Sequence, residues 1–350
     1  MNFSTTKSSI PLMKANKTLT HFISFICFII FISFVIFPNQ SIATKSKPDK
    51  ENILIIRRLL NNYYEPVLTC DSITIPLRRV GRLFLIEARV DDQIGNLIFD
   101  TGAMGLVLNK IYFRNHLVID DHSSNGINGS ISSVSNTTID HVNISELKYK
   151  NIKADLTDLG HIENRRGVKI LGLLGFSMLK GFEILIDINH SQLKLFKIDK
   201  KGDRVNARDN KFKADLIQPI ETANNVLFLK ATIAGKKLNF CLDTGSETNV
   251  ISNRSSNQVL NTINITRRSS LQGSGSKNSD VLYGNMNNFT FGNQAFTEME
   301  TIITNLDALS DAYGVKIDGV LGYNFLNKGV ICINPEKKQL SICFAKSVKI

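Results

Sequence analysis

Asp100 and Asp243 are set apart by their surroundings. Each closes an apolar stretch and opens an Asp-Thr-Gly triad, in Leu97-Ile98-Phe99-Asp100-Thr101-Gly102-Ala103 and Phe240-Cys241-Leu242-Asp243-Thr244-Gly245-Ser246, 143 residues apart (243 − 100). A carboxylate at the end of a buried strand is costly unless it is hydrogen-bonded. The glycine two positions on lets the backbone approach, so that an N–H can reach the carboxylate, and the threonine hydroxyl can tie one loop to its twin. If the two copies face each other about a pseudo-twofold axis, Asp100 and Asp243 meet, cannot both ionise, and share one proton. One carboxylate then acts as base toward a water held between them, while the other, protonated, polarises a carbonyl. That is amide hydrolysis through a tetrahedral intermediate, with no covalent adduct; no metal and no cofactor are expected. A turn-only role, with Asp as cap and Gly at positive φ, leaves the rest of the pattern unexplained.

The rest of the pattern is a repeat. Ile170-Leu171-Gly172-Leu173-Leu174-Gly175-Phe176-Ser177-Met178-Leu179 recurs as Ile317-Asp318-Gly319-Val320-Leu321-Gly322-Tyr323-Asn324-Phe325-Leu326, 147 residues later (319 − 172). The stretch 184–196 (ILIDINHSQLKLF) recurs at the same offset as 331–343 (ICINPEKKQLSIC). The change of offset is one indel between triad and glycine block. The chain is therefore two copies of one unit, residues 73–200 and 213–350, joined by a polar linker, 201–212. Each copy has strand composition at Leu83–Val90 and Val226–Ile233. A turn (91–95; 234–236), a second strand running into the triad, and a short apolar strand after it follow in each. Helical signal is confined to 53–63, 177–179 and 325–328. The expected architecture is all-β, with two pseudo-twofold-related β-barrel lobes in one chain.

These segments resemble the aspartic peptidases of the pepsin and retropepsin kind. The closer likeness is to bacterial retropepsin-like proteases with two fused Asp-Thr-Gly lobes, since both halves are short and lack the long inserts of pepsins. The resemblance implies catalytic roles for Asp100 and Asp243. It implies interlocking of Thr101 with Thr244, and support from Gly102, Gly245 and Ser246. Leu173-Leu174-Gly175 and Val320-Leu321-Gly322 are expected to thread beside the triad loops and buttress them. It further implies a β-hairpin flap between triad and glycine strand, with Gly126 and Gly129 (125–130) and Gly273 and Gly275 (271–277) as flap and substrate-binding candidates. Ala103 and Ser246 break the symmetry. A serine hydroxyl could donate to the outer oxygen of Asp243, so an asymmetric dyad is expected with Asp243 the more readily ionised. The implied activity is endopeptidase action on peptide or protein substrates by a monomer. Two rivals remain: a catalytically silent peptide-binding protein on the same fold, and lobes that pair between chains. The short linker favours pairing within the chain.

Composition and the remaining residues set the outer limits. The 350 residues are 43% hydrophobic and 21% charged, ordinary for a globular chain and unlike disordered or collagenous ones. The formal charge of +11, or +8 without Lys7, Lys14 and Lys17 of residues 1–43, is spread out, which argues against a nucleic-acid partner. Residues 21–37 are almost wholly apolar, lysines precede them, and Ser41-Ile42-Ala43 follows. Residues 1–43 are therefore expected to be a secretory signal cleaved after Ala43, the alternative being an uncleaved membrane anchor at 22–37. Either places the body outside the cytoplasm, in the periplasm or secreted, with 44–72 an N-terminal extension. Cys70, Cys241, Cys332 and Cys343 are not spaced as a zinc site, and the six histidines do not cluster at ligand spacing. Cys332 and Cys343 flank a hairpin turn and could face each other. Free thiols are favoured there, because disulfides between neighbouring strands are strained.

Overall fold

The computed structural model describes residues 66–344 apart from 69, 119, 127–128, 207–211 and 273–277. The expected signal 1–43, most of the extension 44–72, the stretch 53–63 and the loop carrying Gly273 and Gly275 lie outside the described residues. Among the described residues no helix is long and apolar enough to cross a membrane.

One motif is built twice. Leu83–Val90, exposed only at Glu87 and Arg89, pairs antiparallel with Gln93–Asp100 around Asp91, whose φ is 48°. Val226–Ile233 pairs in the same way with Lys236–Leu242 around Ala234 and Gly235, with φ of 48° and 78°. Left-handed residues at such tight turns match the right-handed twist of the strands they join. The first turn is tighter than 91–95, the strand resuming at Gln93.

Beyond each triad the chain returns to thread a buried strand between its two flanks. Ile170–Gly175 lies parallel to the triad strand (Phe99 opposite Leu174, Asp100 opposite Gly175) and antiparallel to Leu106–Asn109 on its other side. Gly319–Leu321 does the same between Lys236–Leu242 and Asn249–Ser252. Closeness explains the glycines: a Cβ on Gly172 would sit 2.0 Å from the carbonyl oxygen of Val107. A long hairpin, Asp120–Gly126 with Gly129–Ile144, projects between triad and glycine strand in the first lobe. Its counterpart in the second lobe is Ile263–Gln272 with Asn278–Met286.

The lobes are joined by a shared sheet. Ser72–Pro76, Gln192–Lys197 and Phe182–Asp187 from the first copy continue into Gly329–Asn334, Gln339–Phe344 and Leu216–Ala223 from the second. At its centre Leu185 pairs with Cys332, its own counterpart in the repeat, while Ile184 and Ile186 pair with Ile333 and Ile331. A ladder in which each residue faces the copy of its mirror neighbour requires a twofold axis through the Leu185–Cys332 pair. Cys332 faces Ser341 and Cys343 faces Val330, so the two thiols are not opposite and neither forms a disulfide. The core runs continuously from Ile73 to Ile342 through both lobes and this sheet, with Phe99, Phe240, Phe289 and Phe325 fully buried.

Short helices close the lobes. The expected segments near 177–179 and 325–328 form as a 3-10 turn, Phe176–Leu179, and a helix, Tyr323–Leu326. Gly160–Arg166 and Asp307–Tyr313 are helices that sequence reasoning missed, as is Asn257–Leu260.

Candidate active site

The triad loops meet on the twofold axis. The amide of Thr101 donates to Thr244 Oγ1 at 2.9 Å, and the amide of Thr244 donates to Thr101 Oγ1 at 3.1 Å. Each hydroxyl passes its own proton to a carbonyl of the opposite triad strand, Thr101 to Leu242 and Thr244 to Phe99, both at 2.8 Å. All four groups are buried and satisfied, so the grip fixes the lobes' relative height where the carboxylates emerge.

Asp100 and Asp243 are 3% and 2% exposed and lie within hydrogen-bond reach of each other. Gly102 and Ala103 donate to Asp100 Oδ1 at 2.9 and 3.1 Å, and Gly245 donates to Asp243 Oδ1 at 2.8 Å. The glycines are required by crossed packing. A Cβ on Gly102 would lie 2.7 Å from the Asp243 carboxyl carbon, and one on Gly245 would lie 2.6 Å from that of Asp100.

Burial pushes both carboxyls up. Asp100 rises well above the ordinary range, first through desolvation and then through the charge and hydrogen bond of Asp243. Asp243 rises to about 6, its climb limited by the Asp100 hydrogen bond and by the backbone N–H groups of Gly245, Ser246 and Gly102. The pair thus holds a proton near neutrality, the behaviour expected of the aspartic-protease dyad. Asp243 is the more readily ionised member, but not through the expected serine. Ser246 Oγ donates to the carbonyl of Thr248, and the Asp243 charge is favoured first by the Asp100 hydrogen bond and then by backbone N–H groups.

The remaining candidates are at the hairpins. Gly126 and Gly129 face each other across the last pair of the first hairpin. That hairpin's outer strand runs along the helix Asp307–Tyr313 of the opposite lobe. Gly273 and Gly275 lie outside the described residues, in the sequence between the paired Gln272 and Asn278.

Each loop is also anchored from outside. In the first lobe three main-chain bonds hold it: Gly175 to Gly105 (3.0 Å), Phe176 to Ala103 (3.0 Å) and Ser177 to Met104 (3.2 Å). In the second, Tyr323 to Ser246 (2.9 Å) is the counterpart of the middle bond. At the two other places side chains take over. Arg82 Nη1 donates to the Glu247 carbonyl at 3.3 Å, Ser246 Oγ donates to the Thr248 carbonyl, and Gly322 N–H goes to Asn249 Oδ1 at 3.0 Å. Tyr313 Oη donates to the Gly102 carbonyl at 2.7 Å from across the axis, and Arg166 pairs with Glu247 in the opposite sense. Sequence reasoning missed these four, Arg82, Arg166, Glu247 and Tyr313. The left-handed glycines Gly167 and Gly314, which recur at the repeat offset, would have marked the two helix ends.

A surface groove of the second lobe, lined by Ser252, Arg254, Asp307, Ser310 and Lys316 among others, contains no triad residue. Among the described residues no cluster of His, Cys, Asp and Glu is arranged to hold a metal.

None of the curated proteins compared matches the chain. A solved aspartic proteinase from Irpex lacteus is similar at 12% identity and a TM-score of 0.49, over 80% of this chain and all of that one. The profile of the family described as aspartyl protease matches residues 86–178 and 229–325, more than half of the chain and one segment in each lobe. The chain belongs to the aspartyl protease family, and its two-lobe, all-β fold is that of an acid protease.

Proposed function

We propose that the protein is an exported endopeptidase whose single site is the Asp100–Asp243 dyad. The observation that carries this reading is the direct contact of two buried carboxyls on loops locked together by Thr101 and Thr244. Asp100, with the higher affinity for a proton, is the acid; Asp243, more readily ionised, is the base. Asp243 removes a proton from a water between them as its oxygen attacks the peptide carbonyl carbon, and Asp100 gives its proton to the carbonyl oxygen. The tetrahedral diol then breaks its C–N bond. Asp243 returns its proton to the departing nitrogen, and Asp100 regains one from a diol hydroxyl. Export is supported by the leader-like pattern of residues 1–43.

The test is cleavage of a mixed peptide library at mildly acidic pH, with products sequenced. Internal cuts that vanish in both Asp100→Asn and Asp243→Asn support the reading. Binding without cutting by the unmodified protein would favour a silent peptide binder, and activity retained in either variant would refute a shared dyad.

A further inference from the structure

Arg166 and Tyr313 are the same position of the repeat, 147 residues apart, each the last residue of its helix before a glycine with φ of 63°. Both reach across the twofold axis to the opposite triad loop. Tyr313 holds the loop of Asp100 by its hydroxyl, on Gly102. Arg166 holds the loop of Asp243 by charge, its Nη2 on Glu247 Oε1, four residues beyond the aspartate. The two side chains are only 15% and 11% exposed, so the pair is largely removed from water. This is also the loop in which side chains replace two of the three main-chain anchors.

We propose that the Arg166–Glu247 pair is a positioning latch. It adds a cross-axis hold to the loop whose main-chain anchors are partly replaced by Arg82 and Ser246, and sets the Asp243 carboxyl at the height needed to share a proton with Asp100. The role rests on the hydrolase reading above, and its test is built to fail separately. Arg166→Met combined with Glu247→Gln removes both charges at similar volume, which folds tolerate better than one orphaned buried charge.

The double variant is expected to melt within a few degrees of the unmodified protein. Its kcat on a cleaved library peptide should fall about tenfold, with KM changed less than about twofold, because displacing a reacting group costs rate rather than binding. The infrared C=O band of the protonated dyad should disappear at a different pH. Arg166→Glu combined with Glu247→Arg should restore kcat to within about threefold, a rescue that lost packing alone would not give. Should the neutral pair not fold, Glu247→Asp, which keeps the charge one methylene short, is read by the same measurements. Unchanged kcat and an unchanged infrared midpoint overturn the latch. If the unmodified protein cuts no peptide, the hydrolase reading falls, and the infrared midpoint still decides the latch.

Discussion

The loop after Asp100 and the loop after Asp243 share their grip and differ in what holds them from behind. The first hangs on three main-chain bonds to the 175–177 segment, with a neutral tyrosine hydroxyl from the other lobe. The second keeps one of those bonds and otherwise depends on Ser246, Arg82, Asn249 and the Arg166–Glu247 pair. Main-chain anchorage is indifferent to residue identity, whereas side-chain anchorage is lost with one substitution. Duplication therefore left the axis symmetric and concentrated the adjustable part of the site in the second lobe, beside the carboxyl that ionises first.

The largest expected effect tests what the loops share. Asp100→Asn and Asp243→Asn should each lower peptide cleavage by about a thousandfold or more, since neither carboxyl can act alone; unequal losses would show that the site is not jointly owned. Next comes the contrast in anchorage. Arg166→Met, leaving Glu247 buried and unpaired, should destabilise by about 3 kcal/mol in urea unfolding. Tyr313→Phe, which leaves the Gly102 carbonyl short of a donor and the Cys241 thiol without its hydroxyl partner but orphans no charge, should cost about 1–2 kcal/mol. Equal costs would erase the difference between the loops.

The proton held by the dyad gives a further expectation. Both carboxyls bind protons more tightly folded than unfolded, so their contribution to stability is complete below about pH 4, the Asp243 share being lost as pH rises through about 6 and the Asp100 share at higher pH. Asp243→Asn removes the lower of the two titrations. The unmodified protein should lose on the order of 3 kcal/mol relative to this variant between pH 4 and pH 7. Parallel stability curves would mean that Asp243 titrates as an ordinary surface carboxylate. The last expectation, a small difference between two variants, tests the grip. Thr101→Val and Thr244→Val should lower stability by similar amounts, about 1–3 kcal/mol each, because each leaves one buried amide N–H and one buried carbonyl of the opposite loop without partners; a marked inequality would carry the asymmetry to the axis itself.

Repetition made the site legible. Asp100, Asp243 and the glycine strands recur with the same neighbours at fixed offsets, and the threading between flanking strands follows from the same block. Where the copies diverge, repetition is silent. Arg166 and Tyr313 share a position and a task but no chemistry, so neither predicts the other. The helices ending in them have Leu159 and Leu306 at their N-caps, the capping oxygens coming instead from Asp158 and Asn305 one residue earlier, and seven residues carry little periodicity. Ser246 was assigned the right neighbourhood and the wrong acceptor, because a hydroxyl's choice between a carboxylate and a nearer carbonyl is set by loop curvature.

The central ladder of the shared sheet has a consequence of its own. Because Leu185 meets its own counterpart there, the strand Phe182–Asp187 presents an edge complementary to a rotated image of itself. Two separate molecules of the first half, brought together by that edge, would recreate the same seam with leucine against leucine. The single chain behaves in this respect as a tethered homodimer, and its covalent connection is what leaves the two members free to specialise.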